Sequence, residues 1–379
     1  MAQVFDTIVI GGGGMGSAAA AELAARGERV LVCEQFPLGH HLGSSHGHTR
    51  IIRQAYYEHP DYVPLLLRAY ERWAELADHG GQQLLFPCGL LSIGHPTGEL
   101  IQGIQRSAAE HQLRVDPYTA GQIQQRWPQF TIPQEHVGLF EPAAGYLLVE
   151  ECVRAYLRLA SARGAALLEN EAVISWRAGQ TDVSVRTIHG EYHAARLIIT
   201  AGAWAGHLLA GLGLPLTVMR QLSHWFSPPP GGMWTADHFP CYMVETPAGA
   251  FYGFPHVDQR GLKVARHYGA RELPGPEYVD RAIDPVEASP AQAFFARYLP
   301  HLAAQPYESA VCLYTLTPDR HFVIDRHPQW PQVVLAAGFS GHGFKFASVV
   351  GEILADLALT GKTALPIGMF AMNRFAGER

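Results

Sequence analysis

Five short stretches of the chain carry residue types from which chemistry could be built. The first is the apolar run Thr7 to Ile10, which leads straight into Gly11, Gly13 and Gly16 in a G-x-G-x-x-G pattern, with Glu34 closing a second apolar run. Gly11 allows a tight turn, Gly13 lets backbone come close to a pyrophosphate, and Gly16 lets a helix pack close on its strand. The helix N-terminus then meets the anion with N–H groups and a favourable dipole, and Glu34 stands where an acid would hold a ribose. Strand, glycine turn, alanine-rich helix, Gly27 as a helix stop and second strand together read as a dinucleotide site. The acid argues against a phosphate on that ribose and leaves NAD and FAD equally open.

Arg50 and Arg53 follow in TRIIRQAY. If that run is helical they share one face, where two guanidinium groups repel unless an anion or a flavin edge lies beside them. Three later stretches place polar side chains at period two, the spacing of one strand face. Lys263 and His267 share a face with Ala265 in GLKVARH, Cys312 with Tyr314 in SAVCLYT, and Tyr252 with Phe254 in AFYGFP. Taken singly, each has a plain reading as an exposed strand residue, a core aromatic or a small buried hydrophobe.

These stretches need a scaffold. A chain of 379 residues, 48% of them hydrophobic, buries a sizeable core and has the length of about two domains. Its formal net charge of -6 and the lack of a basic cluster argue against nucleic-acid or anionic-membrane partners. The 20 histidines read mainly as surface or satisfied residues, the cysteines show no C-x-x-C spacing, and no metal site is expected. The 5 cysteines are odd in number and scattered, which predicts free thiols and a reducing compartment. The N-terminal residues show no secretory pattern, and Ala201 to Met219 is interrupted by His207 and Pro215, so a cytoplasmic protein is expected.

Along the chain, Val63 to Leu76 has helical periodicity, Gln83 to Ile93 reads as strands, and helices are expected over Glu99 to Gln112 and Glu150 to Arg163. Leu167 to Val173, Val183 to Thr187 and Leu197 to Thr200 read as strands, the last ending in the small-residue turn Ala201 to Trp204, where backbone could approach a cofactor. Val218 to Val311 alternates as an antiparallel sheet does. A second strand, glycine turn and helix, Val333 to about Leu359, implies a discontinuous nucleotide domain. The expected fold is α/β plus β: a Rossmann-like dinucleotide-binding domain of residues 1–84, 146–217 and 321–379, and a mainly antiparallel-sheet substrate domain of residues 85–145 and 218–320.

Over nearly its whole length the chain resembles the monomeric sarcosine oxidases and N-methyl-tryptophan oxidases, within the amine-oxidising flavoenzymes related to D-amino-acid oxidase. The segments that carry the resemblance are FDTIVIGGGGMG, GSSHGHTRIIRQAYYEHPDYVPLLLR, FEPAAGYL, MVETPAGAFYGFP, GLKVARH, AVCLYTLTPDRHFVID and AAGFSGHGFKFASVVGE. The resemblance makes the Rossmann-like domain an FAD-binding domain and implies FAD tethered to Cys312 through a thioether to the flavin 8-methyl carbon. It implies Lys263 as the charge that activates dioxygen, His267 beside the substrate amine, and Arg53 with Lys345 clamping the substrate carboxylate. Arg50 and His46 resemble the basic residues beside the flavin ring; Tyr56, Met243, Tyr252 and Tyr314 resemble pocket walls. Further cofactor contacts are implied at Met15, Ser44, Ser45, Thr49, Val173, Gly202, Trp204, Gly341, Gly343 and Phe344, besides the first glycine turn and Glu34.

Two departures stand out. His48 replaces an acid beside Arg50, which removes an expected partner of that arginine, and Ala265-Arg266 replaces Gly-Tyr, which would put an extra arginine near the pocket mouth. The resemblance implies oxidation of sarcosine by dioxygen to glycine, formaldehyde and hydrogen peroxide, in a monomer. N-methyl-tryptophan, pipecolate, proline-like or glycated amino acids remain alternative substrates; a dehydrogenase with a protein acceptor and a non-catalytic FAD-binding subunit are the rival readings.

Overall fold

The computed structural model describes residues 5–302 and 305–376. The chain opens with β1 (Phe5–Ile10), α1 (Gly14–Ala25) and β2 (Val30–Cys33), the expected strand, helix and strand. β1 is the middle of a parallel core, with Ile10 opposite Cys33 of β2 on one side and Ile199 of strand Glu191–Ile199 on the other. Strand Val333–Ala337 joins beyond Ile199, so the second glycine turn leaves the same edge of the sheet as the first. Crossover connections bury both faces of such a sheet, which is why these strands are continuous apolar runs.

The alanines of α1 serve close packing. Gly351, in helix Ala347–Thr360, lies so near α1 that a Cβ there would stand 2.6 Å from the Ala18 Cβ. At Gly16 a Cβ would fall 1.8 Å from the Gly11 carbonyl oxygen and 2.6 Å from Thr200 Oγ1. Gly16→Ala is therefore expected to cost about 1–3 kcal/mol through overpacking. Differential scanning fluorimetry together with the flavin-to-protein ratio checks this: an unchanged midpoint and full flavin would exclude the tight contact.

A second, nine-stranded sheet is mainly antiparallel. Thr217–Phe226 pairs with both Glu308–Leu316 and Leu262–His267, and the order continues through Gly249–Gly253 to Cys241–Thr246. There Cys241 pairs in parallel with Leu90, which brings Leu90–Gly94 and Val137–Glu141 into the same sheet. A three-stranded sheet of β3 (Thr49–Ile52), Gly145–Leu148 and Leu85–Phe86 lies between the two in sequence and carries Arg50.

Two local expectations change. TRIIRQAY is not a helix: Thr-Arg-Ile-Ile forms β3 and buries Ile51 and Ile52, as β-branched residues favour in a paired strand. Arg50 and Arg53 therefore share no helical face. Leu167 to Val173 is not one strand but the ends of two, Ala166–Leu168 and Val173–Ala178, because Asn170 turns the chain at φ 57° and Glu171 N–H donates back to the Glu34 carbonyl. Among the described residues no helix is long and apolar enough to cross a membrane.

Candidate active site

One cavity of about 370 Å³ runs from the first glycine turn to the antiparallel sheet. Its outer end is built by the sequence around β1. Gly11 turns at φ 96° against Thr200 and lets Gly12 N–H donate to Glu34 Oε2 at 2.8 Å. Glu34 Oε1 accepts from Phe36 N–H at 3.0 Å, and a carboxylate with about four lone-pair sites still has room for a ribose hydroxyl. α1 has no side-chain cap at Gly13, and Gly14 N–H donates to Ser45 Oγ at 3.0 Å. Gly13, Gly14 and Met15 line the cavity, so an uncapped helix N-terminus faces it, and a Cβ on Gly13 would have only Ser45 Oγ within 4 Å. Ser44, Val173, Gly202 and Trp204 complete this end.

At the inner end stand Arg50, Arg53, Met243, Tyr252, His267, Tyr314, Gly341, Gly343, Phe344 and Lys345, as expected from the sequence. Gly341 turns at φ 79°, and a Cβ there would enter the Tyr314 ring at 2.2 Å. Arg53 is buried and gives Nη2 to both Glu58 carboxylate oxygens at 2.7 Å, while its Nη1 has no partner among the described residues. Lys345 Nζ donates to the His342 carbonyl at 2.7 Å and to Tyr56 Oη at 3.3 Å. Burial, with Arg53 close by, holds this ammonium well below the usual lysine range. Burial also pushes His267 down to about 3, so its imidazole is neutral; its Nδ1 faces Tyr314 Oη at 3.5 Å.

Six expected residues stand behind the wall instead of on it: Gly16, His46, Thr49, Tyr56, Lys263 and Cys312. Lys263 is 2% exposed and donates Nζ to the carbonyls of Gly47 at 2.6 Å and Thr49 at 2.8 Å. Burial first, then Arg50, lowers its pKa well below the ordinary value. Cys312 Sγ lies 3.4 Å from Arg50 Nη2, which joins the two stretches that the sequence keeps apart. Burial and the Arg50 charge bring His46 down to about 3. His46 Nε2, Thr49 Oγ1 and Thr315 Oγ1 are buried without partners among the described residues. Unpartnered polar atoms beside the inner end, a carboxylate and an uncapped helix at the outer end, and a cavity joining them fit the two halves of FAD.

The departures from the family pattern resolve locally. Arg50 keeps partners without an acid at position 48, donating to the carbonyls of Thr49 at 3.0 Å and Ser44 at 3.1 Å. His48 turns at φ 71° and brings Nε2 within 3.0 Å of Asp258 Oδ2. Arg266 is not at the pocket mouth: it alternates outward from Lys263 and His267, over Gly249 and Gly269.

Sequence reasoning missed three residues that fix this site. Glu58 pairs with Arg53, and its only signal is an acid five residues further on in RQAYYE. Glu150 accepts from Gly47 N–H at 2.8 Å and His48 N–H at 3.1 Å, with no local sign of that role. His342 bridges Tyr56 Oη at 2.7 Å and the Arg320 carbonyl at 3.0 Å from within SGHGFKF, where Lys345 already marked the turn.

Comparison with known proteins agrees with this geometry. The family described as FAD dependent oxidoreductase, DAO, matches residues 6–357. The chain is 43% identical over 381 residues to a monomeric sarcosine oxidase of Streptomyces avermitilis, covering 99% of both chains. It is 35% identical over 379 residues to an N-methyl-L-tryptophan oxidase of Yersinia pestis, covering 98% of this chain and 99% of the relative. Among solved structures, NikD, an amino acid oxidase essential for nikkomycin biosynthesis, superposes with a TM-score of 0.86 at 26% identity and covers 97% of each chain. An L-proline dehydrogenase from P. horikoshii gives 0.85 at 25% identity over 99% of each chain. The chain belongs to the DAO family of FAD-dependent oxidoreductases.

Proposed function

We propose that this protein is a monomeric FAD-dependent oxidase that converts sarcosine, water and dioxygen to glycine, formaldehyde and hydrogen peroxide. The observation that carries the reading is the charge at the inner end of the cavity. Two buried basic side chains, Arg53 and Lys345, line it beside Arg50, one carboxylate, Glu58, is in ion-pair contact with Arg53, and Arg53 Nη1 has no partner among the described residues. A substrate carboxylate completes that set, taking the guanidinium fork and the lysine point charge. The relatives named for sarcosine and N-methyl-L-tryptophan act on substrates that carry such a carboxylate beside a secondary amine.

Residues 1–84, 146–217 and 321–379 form the FAD domain in this reading, and 85–145 with 218–320 the substrate domain. The two glycine turns, Glu34, Ser44, Ser45 and Trp204 hold the cofactor, with Arg50, His46 and Thr49 at its ring. FAD, when bound, supplies a two-electron acceptor for the N-methyl C–H and delivers the electrons to dioxygen. The clamp fixes the substrate's orientation, which can be worth several kcal/mol of barrier. Neutral His267 adds no positive charge beside the amine, which keeps the free-amine form accessible. A bound carboxylate favours the ammonium form of Lys345, which burial and Arg53 otherwise disfavour. Lys263 places a buried charge beside the Gly47–Thr49 turn, where it stabilises negative charge developing on oxygen.

Cys312 is assigned the covalent link to the flavin, since its thiol lies against Arg50 at the inner end. Acid precipitation of the wild-type protein is expected to leave the yellow colour in the pellet, and Cys312→Ser to release it into the supernatant. Free flavin from wild type would remove this role. Peroxide assays with sarcosine, N-methyl-L-tryptophan and pipecolate test the substrate, and peroxide from the bulkier amines alone would replace sarcosine as the substrate.

A further inference from the structure

One residue beyond His267, Tyr268 has a left-handed backbone at φ 66°. Glycine takes that conformation freely, whereas a bulky side chain keeps it only where its surroundings impose it. The surroundings here are specific. Tyr268 Oη donates to the Ser340 carbonyl at 2.9 Å, the Arg320 guanidinium lies 4.4 Å from the ring centroid, and the rings of His267 and Tyr314 have centroids 3.9 and 6.2 Å away. Burial raises the phenol pKa, with Glu58 also raising it and Arg320, then Arg53, opposing.

Three of these neighbours, His267, Tyr314 and Ser340, line the cavity, and Tyr268 stands behind them. Tyr268 itself is half-buried, and Arg320 beyond it is exposed. The ring thus spans the layer between the cavity and solvent, and its hydroxyl ties the end of strand Leu262–His267 to the second glycine turn. No period-two pattern marks it, because Tyr268 lies just beyond the strand that carries Lys263 and His267.

We propose that Tyr268 backs the wall of the substrate chamber, behind His267 and Tyr314, and is a specificity-determining residue that restricts it to small N-methyl amino acids. The proposal rests on the reading of Arg53 and Lys345 as a carboxylate clamp. With the carboxylate at Arg53 and the amine at His267, a large substituent on the substrate needs the His267 and Tyr314 side chains to give way, and the Tyr268 ring packed behind them holds them in place.

The test uses the flavin-loaded enzyme and its absorbance as the readout. Methylthioacetate is the small carboxylate and indole-3-acetate the bulky one, titrated into wild type, Tyr268→Phe, Tyr268→Gly and Tyr268→Asn. Glycine and asparagine both suit the left-handed backbone, so truncation relieves strain instead of adding it. In the glycine and asparagine variants the affinity ratio is expected to move toward indole-3-acetate by about tenfold or more, the scale on which a pocket wall discriminates. Phenylalanine keeps the ring, and its ratio is expected to stay within about threefold of wild type. Equal changes for both acids in the glycine and asparagine variants, with wild-type thermal midpoints, would overturn the proposal. A wild-type enzyme whose spectrum responds to neither acid would refute the clamp reading itself, and the proposal with it.

Discussion

Replacing Arg53 by methionine is expected to lower kcat/KM for sarcosine by about three orders of magnitude, about 4 kcal/mol of transition-state stabilisation. Arg53 is 3% exposed, and the change removes the guanidinium fork that pairs with Glu58 while leaving Glu58 there. A substrate carboxylate would then keep Lys345 and meet Glu58 as a like charge, with Arg50 held by the Thr49 and Ser44 carbonyls, so attraction and orientation are lost together. Arg53→Lys keeps the charge and loses the bidentate geometry, and about a ten- to hundredfold loss is expected from it. Steady-state kinetics with methylthioacetate binding alongside checks both. An R53M enzyme with wild-type kcat/KM would leave the unpartnered Nη1 without a purpose and sink the clamp.

Lys263→Met is expected to act on a different half of the reaction. Peroxide formation should fall by about 10²- to 10³-fold, the size of effect seen when a preorganised electrostatic group is removed, while bleaching of the flavin by sarcosine without oxygen stays within about tenfold of wild type. Lys263 is buried, donates only to two backbone carbonyls, and makes no ion pair among the described residues. Burying such a charge costs stability, so methionine of similar length should leave the thermal midpoint unchanged or raise it. Stopped-flow mixing of the reduced enzyme with oxygen gives the first quantity and anaerobic mixing with sarcosine the second. Little peroxide from the wild type, with turnover through an artificial acceptor nearly unchanged in Lys263→Met, would favour the dehydrogenase reading.

These two cations illustrate how unevenly the site was legible. Lys263 could be placed with His267 on one strand face, because period-two alternation is a local property of extended backbone. Arg53 was singled out for the wrong local reason, a shared helical face with Arg50, where the chain instead forms β3 and turns. Arg50 and Arg53 still reach one cavity, since that outcome depends on how β3 pairs with Gly145–Leu148 and not on the helix period. The expected arginine at the pocket mouth failed for the same kind of reason. Arg266 is near the site in sequence, yet the pleat sends it to the other face.

By itself the sequence determined the nucleotide half of this protein. The strand, glycine turn, helix and second strand from Phe5 to Cys33 lie within one stretch of chain, and each step obeys a short-range rule of turn geometry, helix packing or strand burial. Only the tertiary structure decided the chemical half. Arg50 meets Cys312 across 262 residues, Lys263 reaches Gly47 across 216, and Tyr56 reaches His342 across 286. No periodicity encodes such closures, because they follow from which sheet edges pair and which turns face each other once the core is buried. Glu58, Glu150, His342 and Tyr268 acquire their roles in that step, from partners that the linear order does not supply.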